Sequence, residues 1–92
     1  MNRSELVETV AAATGLKQRE AEQAISAALT AIADSLTRGE SVTLAGFGSF
    51  ERRDRAARTG RNPQTGAAIE IPAARVPAFK AATALRRQVA DA

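Results

Sequence analysis

The sequence contains no cysteine, histidine, tryptophan or tyrosine. The absence of cysteine excludes disulfides and thiolate chemistry, and the absence of histidine removes the commonest general base and metal ligand. We therefore expect no metal site, no cofactor and no enzymatic activity, since clustered carboxylate pairs are also missing. No apolar run approaches the roughly 18 residues that a membrane span requires, and the N-terminus lacks a signal-peptide pattern. These absences predict a soluble, cytoplasmic protein.

Large apolar side chains are also few. Alanine supplies 22 of the 92 residues, while valine, isoleucine, leucine and phenylalanine together supply 18. Alanine contributes little area when it is buried, and a chain of this length buries only a modest fraction of its surface. The length predicts a single domain over 1–92, but the composition indicates that an isolated monomer would be marginally stable. We therefore expect the chain to associate.

Positive charge is concentrated in the second part of the chain. Residues 1–40 carry four basic and six acidic side chains, whereas residues 41–92 carry nine basic and four acidic ones. Eleven of the thirteen basic residues are arginine. Because guanidinium is planar and binds phosphate in a bidentate manner, this distribution favours an anionic partner.

Residues 1–40 are predicted to form a helical base. Asn2 is a candidate N-cap followed three residues later by Glu5, and Gly15 supplies a left-handed stop. Apolar residues at helical spacing then predict a second helix over about 18–37, which Gly39 ends.

Residues 41–79 are predicted to form strands, followed by a short closing helix over about 80–90. Residues 41–44 alternate in polarity, and two glycines flank Phe47 before the alternation resumes. Between residues 52 and 75 the only large apolar side chains are Ile69 and Ile71, and turn-forming residues occupy the centre at 60–66. This pattern predicts a two-stranded ribbon with its tip near Pro63. The predicted class is α+β.

The first strand of this ribbon is strongly basic. Alternation places Arg53, Arg55 and Arg61 on one face and Arg52 and Arg58 on the other, and Asp54 is the only acidic residue between positions 52 and 61. A ribbon that is basic on both faces fits a nucleic-acid groove, where phosphates line both walls. The alternative is a solvated, flexible loop, which the strand length and the scarcity of acidic partners disfavour.

Pro63 has two interpretations. It is either an ordinary turn residue after Asn62 or a rigid apolar wedge that enters between base pairs. Its position alone does not decide between them.

Three segments resemble the HU/integration host factor family of bacterial DNA-binding proteins. They are Gly46-Phe47-Gly48-Ser49-Phe50, the run Arg58-Thr59-Gly60-Arg61-Asn62-Pro63-Gln64-Thr65-Gly66, and Arg75-Val76-Pro77-Ala78-Phe79. The resemblance extends without gaps from Met1 to Val89. The stretches 55–59 and 76–77 are more similar to HU than to integration host factor.

The resemblance implies an intertwined dimer with a helical base, a β saddle and two arms that embrace the minor groove of bent double-stranded DNA. It implies a histone-like role in the bacterial nucleoid, with little sequence specificity and a preference for bent, nicked or distorted DNA. The partner chain would be a second copy or a close paralogue. The implied DNA-binding residues are Arg3, Arg53, Arg55, Arg58, Arg61, Asn62, Pro63, Gln64, Arg75, Lys80 and Arg86. The implied dimer core consists of Phe47, Phe50, Phe79, Leu29, Ile32 and Leu44.

The chain departs from the usual family pattern at Lys17, at 67–68 and at 82–83. Lys17 replaces a capping Ser or Thr, Ala67-Ala68 replaces a charged residue, and Ala82-Thr83 replaces a Gly-Lys pair. The last two departures remove possible phosphate contacts, which affects affinity and footprint.

Two other kinds of nucleic-acid binding fit the sequence less well. A subunit of a sequence-preferring heterodimer, similar to integration host factor, is the main alternative. Base-edge readers on the arm are limited to Asn62 and Gln64, which favours binding without sequence preference. RNA binding is disfavoured because no aromatic residues are expected on an exposed sheet, where the bases of a single strand would stack.

Overall fold

The computed structural model describes all 92 residues, which form three helices and five strands. In chain order these are α1 (Arg3–Thr14), α2 (Gln18–Thr37), β1 (Val42–Leu44), β2 (Gly48–Arg55), β3 (Arg58–Arg61), β4 (Ala68–Ile71), β5 (Ala74–Ala81) and α3 (Thr83–Ala90). The predicted α+β class, with an antiparallel sheet and a ribbon between helices, is confirmed. The chain packs as two compact units, Met1–Asp34 and Ser35–Ala92. The interpretation of 1–92 as one DNA-binding domain stays a prediction.

The first unit contains α1 and most of α2. The Asn2 side chain accepts a hydrogen bond of 2.9 Å from the Glu5 backbone N–H, as the capping pattern predicts. Gly15 ends α1 in the left-handed region at φ 76°. The core of this unit is small: Val7, Ala11 and Ala21 are buried, with two further aliphatic residues packed against them. None of the helices, not even the 20-residue α2, is long and apolar enough to cross a membrane.

The second unit is built on a three-stranded antiparallel sheet in the order β1-β2-β5. A tight turn joins β1 to β2, with Gly46 at φ 77° and the Phe47 N–H donating to the Leu44 carbonyl. Gly48 opens β2 and is buried, because the Phe79 ring lies where a side chain would project. The absence of a side chain at this position therefore lets β2 and β5 approach each other.

Strands β2 and β5 extend past β1, and their pairing continues along the chain into a two-stranded ribbon, so that the two long arms form two ladders in succession. The first ladder runs from Gly48 opposite Ala81 to Arg55 opposite Ala74. The second ladder, β3 with β4, starts at Arg58 opposite Ile71. Two residues on each strand, 56–57 and 72–73, separate the ladders, so the pairing register is kept across the gap. Pro72 lies in this gap and cannot donate a ladder hydrogen bond.

The closing helix α3 starts later than predicted. The sequence predicted a helix from about residue 80, but Lys80 lies on β5 opposite Ser49, and α3 begins at Thr83. The β2–β5 ladder extends to Ala81, and the Ala82 N–H donates to the Phe47 carbonyl at 2.8 Å. Cross-strand pairing therefore holds 80–81 in extended conformation despite their helical propensity.

Candidate nucleic-acid interface

The ribbon presents arginines on both faces, as strand alternation predicts. In the antiparallel register, Arg53 lies opposite Val76 and Arg55 opposite Ala74 on one face. Arg61 takes the corresponding position further out, opposite Ala68. The other face carries two more arginines: Arg75, opposite Asp54, and Arg58, opposite Ile71. The register thus brings together five of the predicted site arginines along a single ribbon.

These five arginines are exposed and free of ion pairs. The chain contains two ion pairs, Arg38 with Glu40 at 3.6 Å and Arg52 with Asp54 at 2.9 Å, and neither involves the five. An exposed guanidinium without a carboxylate partner is available to bind phosphate through paired N–H groups. The two faces of the ribbon therefore offer phosphate-binding groups in opposite directions.

Arg52 differs from its neighbours on β2. Its Nη1 donates to the Thr37 carbonyl at 3.1 Å, and its Nε and Nη2 contact the Asp54 carboxylate at 2.9 and 3.2 Å. Only 22% of its side chain is exposed. The sequence pattern predicts Arg52 as part of the basic face, and nothing local in the sequence indicates this contact with the end of α2.

The tip of the ribbon is a hydrogen-bonded turn. The Asn62 N–H donates to the Ala67 carbonyl at 2.9 Å, and the Asn62 carbonyl accepts from the Gly66 N–H at 2.7 Å. The Asn62 side-chain oxygen accepts from the Gln64 N–H at 2.9 Å. Asn62 therefore has a structural role in the turn, and only its side-chain amide nitrogen remains for a base edge. Pro63 and Gln64 are exposed at the extremity.

An apolar strip accompanies the arginines on the outer ladder. Ile69 and Ile71 are both partly exposed, and they alternate along β4 on the face shared with Arg58. Gly60 lies opposite Ile69, and a methyl group there would come within 3.1 Å of the Ile71 Cδ1. The glycine leaves room for the Ile71 side chain to lie across the ribbon.

Three other predicted DNA-binding residues, Arg3, Lys80 and Arg86, are not among the five ribbon arginines. Arg3 belongs to the helical unit, where its guanidinium donates to the Ser26 hydroxyl. Lys80 is exposed on β5 rather than on the closing helix, and its register position places it on the ribbon face of Arg53. Arg86 is exposed on α3. Their roles in binding stay predictions.

The predicted dimer-core residues are largely uncovered in the single chain. The Phe79 ring contacts both Phe50 and Phe47, with centroid separations of 5.0 and 5.5 Å. Even so, Phe47 is 47% and Phe79 44% exposed. Leu44, at the end of β1, and Leu29, on α2, are exposed as well, and Ile32 is half-buried. Apolar side chains of this size are normally covered in a folded protein.

A helical unit followed along the chain by an antiparallel sheet with a basic two-stranded ribbon defines a nucleic-acid-binding class of the β-ribbon type. No group of three or more Asp or Glu side chains comes together where a metal ion could be held. The chain belongs to the family described as bacterial DNA-binding protein, whose model matches residues 1–90. This is a family of DNA-binding proteins and not of enzymes.

Individual relatives support this assignment over almost the whole chain. The chain is 51% identical to the DNA-binding protein HU of Geobacillus stearothermophilus over 89 residues, covering 97% of this chain and 99% of that protein. It is 53% identical to the HU of Staphylococcus aureus strain COL over the same length and the same shares. Among solved structures, an Anabaena HU–DNA cocrystal matches with a TM-score of 0.86 and 48% identity, covering both chains fully. HU from Thermotoga maritima matches with a TM-score of 0.69 and 29% identity, covering 97% of this chain and 98% of that one.

Proposed function

We propose that this chain is a histone-like architectural protein of the bacterial nucleoid. It binds double-stranded DNA through the minor groove with its β-ribbon and bends, wraps and stabilises the duplex, largely without regard to sequence. The observation that carries the proposal is the set of exposed, unpaired arginines on both faces of one ribbon. The Anabaena HU cocrystallised with DNA, which is 48% identical to this chain, supports it further.

Groove dimensions support the proposal that a ribbon of this kind prefers distorted DNA. Paired strands lie about 4.8 Å apart before their side chains are counted, whereas the undistorted minor groove is about 6 Å wide. Entry of the ribbon therefore requires the groove to open, which accompanies bending of the duplex. A nick or bulge lowers the cost of that bend. Pro63 is exposed at the tip, and we propose that it holds the bend as a wedge, because its ring is rigid and lacks an N–H donor.

The scarcity of base-reading groups supports binding without sequence preference. The side-chain oxygen of Asn62 accepts a hydrogen bond within the turn, so the tip offers a base edge only the Asn62 amide nitrogen and the Gln64 amide group. The minor groove distinguishes little beyond A·T from G·C pairs. Arginines that contact phosphates position the protein but carry no direct sequence information.

We also propose that the functional unit is a dimer of this chain. The buried hydrophobic residues are only Val7, Ala11 and Ala21, which is a small core for a chain of this length. The exposed rings of Phe47 and Phe79 need a cover, and a second copy presents the same apolar surface in return. Two copies also supply two ribbons, one for each side of a bend.

A gel-shift titration tests the DNA-binding proposal. Linear, nicked and bulged duplexes of unrelated sequence are titrated at the same salt concentration. We expect similar affinities for different sequences of one shape, and tighter binding to nicked and bulged duplexes than to linear ones. A strong preference for one linear sequence would instead favour a sequence-reading protein.

Sedimentation equilibrium tests the dimer proposal. At micromolar concentration we expect about twice the 9.6 kDa chain mass, and a melting temperature that rises with protein concentration. A cooperative melt at the monomer mass, unchanged by concentration, would contradict it.

A further inference from the structure

One carboxylate at the root of the ribbon has two arginines within reach. Asp54 lies directly opposite Arg75 in the β2–β5 ladder, and opposite pairs of this kind have Cβ atoms about 5 Å apart. Asp54 also shares its ribbon face with Arg52, two residues earlier on the same strand. The structure resolves this competition in favour of Arg52, which contacts both Asp54 oxygens, at 2.9 and 3.2 Å.

The geometry around Arg52 explains why it takes the carboxylate. Its Nη1 donates to the carbonyl of Thr37, the last residue of α2, and this hydrogen bond holds the guanidinium where it also contacts Asp54. The C-terminal end of a helix carries partial negative charge, which favours a cation there. With 22% of its side chain exposed, Arg52 is better shielded from solvent than Asp54 at 57%.

Gly39 provides the space for this arrangement. A Cβ on Gly39 would lie 3.0 Å from the Arg52 Nη2 and 3.3 Å from its Cζ. Gly39 also adopts a φ of 78°, which side-chain-bearing residues rarely take. The end of α2 therefore forms a binding position for the Arg52 guanidinium. Arg75, on the neighbouring strand, does not occupy this position.

We propose that Arg52 is a positioning residue for DNA binding: it binds the Asp54 carboxylate and thereby leaves the Arg75 guanidinium free to contact a phosphate. Arg52 itself makes no DNA contact. This inference rests on the proposed function, since it assigns Arg75 to the phosphates. Removing Arg52 releases Asp54 to its cross-strand neighbour, so the ribbon loses a phosphate-binding group that was not itself mutated.

The salt dependence of DNA affinity tests this proposal. Log K falls as log salt concentration rises, and each phosphate contact adds about 0.9 to the magnitude of this negative slope. We expect Arg52→Met to reduce the magnitude of this slope by about 0.9 for each chain engaged, because Arg75 no longer contacts a phosphate. The double variant Arg52→Met/Asp54→Asn should restore the wild-type slope, because no carboxylate remains to bind Arg75. Arg53→Met, on the opposite face, serves as the reference for the direct loss of a phosphate contact.

Two outcomes of the salt titration would overturn the proposal. An unchanged slope for Arg52→Met would mean that Asp54 does not capture Arg75. A slope whose magnitude stays below that of the wild type in the double variant would mean that Arg52 is itself a phosphate contact.

A measurement without DNA separates this inference from the proposed function. In nitrogen-15 spectra of the free protein, we expect hydrogen exchange of the Arg75 Nε–H to slow in Arg52→Met and to return to the wild-type rate in the double variant. The Asp54→Asn variant keeps Arg52 on Thr37 and should leave the Arg75 exchange rate unchanged. Faster exchange in Asp54→Asn would show that Asp54 held Arg75 all along and would refute the inference. If the wild type lacked salt-dependent DNA affinity, the proposed function would fail while these exchange rates would still decide the role of Arg52.

Discussion

A methyl group at Gly48 is predicted to destabilise the protein strongly. The added Cβ would lie 2.5 Å from Cζ and 2.7 Å from Cε1 of the Phe79 ring, and 2.6 Å from the Lys80 carbonyl oxygen. All three distances are below any ordinary carbon contact. The ring could rotate away, but the carbonyl belongs to the β5 backbone paired with β2. Relief therefore requires the two strands to separate at this point.

The size of the effect follows from these contacts. Overpacking a well-packed site costs typically 1–3 kcal/mol, and a clash with backbone belongs at the upper end of that range. Displacing Phe79 also disturbs its contacts with Phe50 and Phe47, and such aromatic pairs are worth about 0.5–1.5 kcal/mol each. We expect Gly48→Ala to lower the free energy of unfolding by about 3 kcal/mol, which corresponds to roughly 12–24 °C in Tm for a domain of this size.

Gly46→Ala is the matched control two residues earlier. Gly46 has a φ of 77° and open space around its Cβ position, so the substitution costs only the backbone strain of about 1–2 kcal/mol. Urea unfolding of both variants at one protein concentration measures the difference. If Gly48→Ala proved no more destabilising than Gly46→Ala, the close approach of β2 and β5 at Gly48 would be wrong.

Three further predictions concern the ribbon tip, the ribbon dynamics and the first helix. Pro63→Ala should leave the salt dependence of DNA binding unchanged while reducing both the induced bend, measured by fluorescence transfer, and the preference for nicked DNA; a wild-type bend would make Pro63 only a turn residue. Backbone amides of β3 and β4 should exchange rapidly in the free protein and slowly in the DNA complex, because a two-stranded ribbon is marginal by itself, and strong protection without DNA would contradict this. Asn2→Ala should cost about 1 kcal/mol in urea unfolding through loss of the hydrogen bond to the Glu5 N–H, and an unchanged midpoint would show that the cap is not needed.

The helices and the outline of the ribbon could be predicted because their signals are local. Asn2 caps α1, and left-handed glycines follow α1 and α2 at Gly15 and Gly39. The apolar spacing predicted α2 over 18–37, and these are its bounds. Alternation along β2 also placed its arginines on the correct faces, because antiparallel pairing preserves strand parity.

The gap in the ribbon and the start of α3 could not be predicted, because both depend on pairing between distant residues. That Pro72 lies in a break between two ladders can be recognised only when the pairing of the two strands is known. Lys80 and Ala81 have good helical propensity, yet they form strand because Ser49 and Gly48 pair with them.

The role of Arg52 was missed for a similar reason. In the sequence it is one of five closely spaced arginines, and its helix-end partner Thr37 lies 15 residues away. Spacing identifies which arginines share a face, but only tertiary contacts identify which guanidinium is already occupied.

The most direct test that the ribbon arginines bind DNA is a comparison of the salt dependence of DNA affinity between wild type and the Arg58→Ala/Arg61→Ala variant. Both side chains are exposed and unpaired. On a linear duplex of arbitrary sequence, the magnitude of the slope of log K against log salt should therefore fall by about 1.8 for each chain engaged. Arg38→Ala, which removes an arginine outside the ribbon that pairs with Glu40, should keep the wild-type slope. Equal slopes for the wild type and the Arg58→Ala/Arg61→Ala variant would contradict the assignment of the ribbon as the DNA-binding surface.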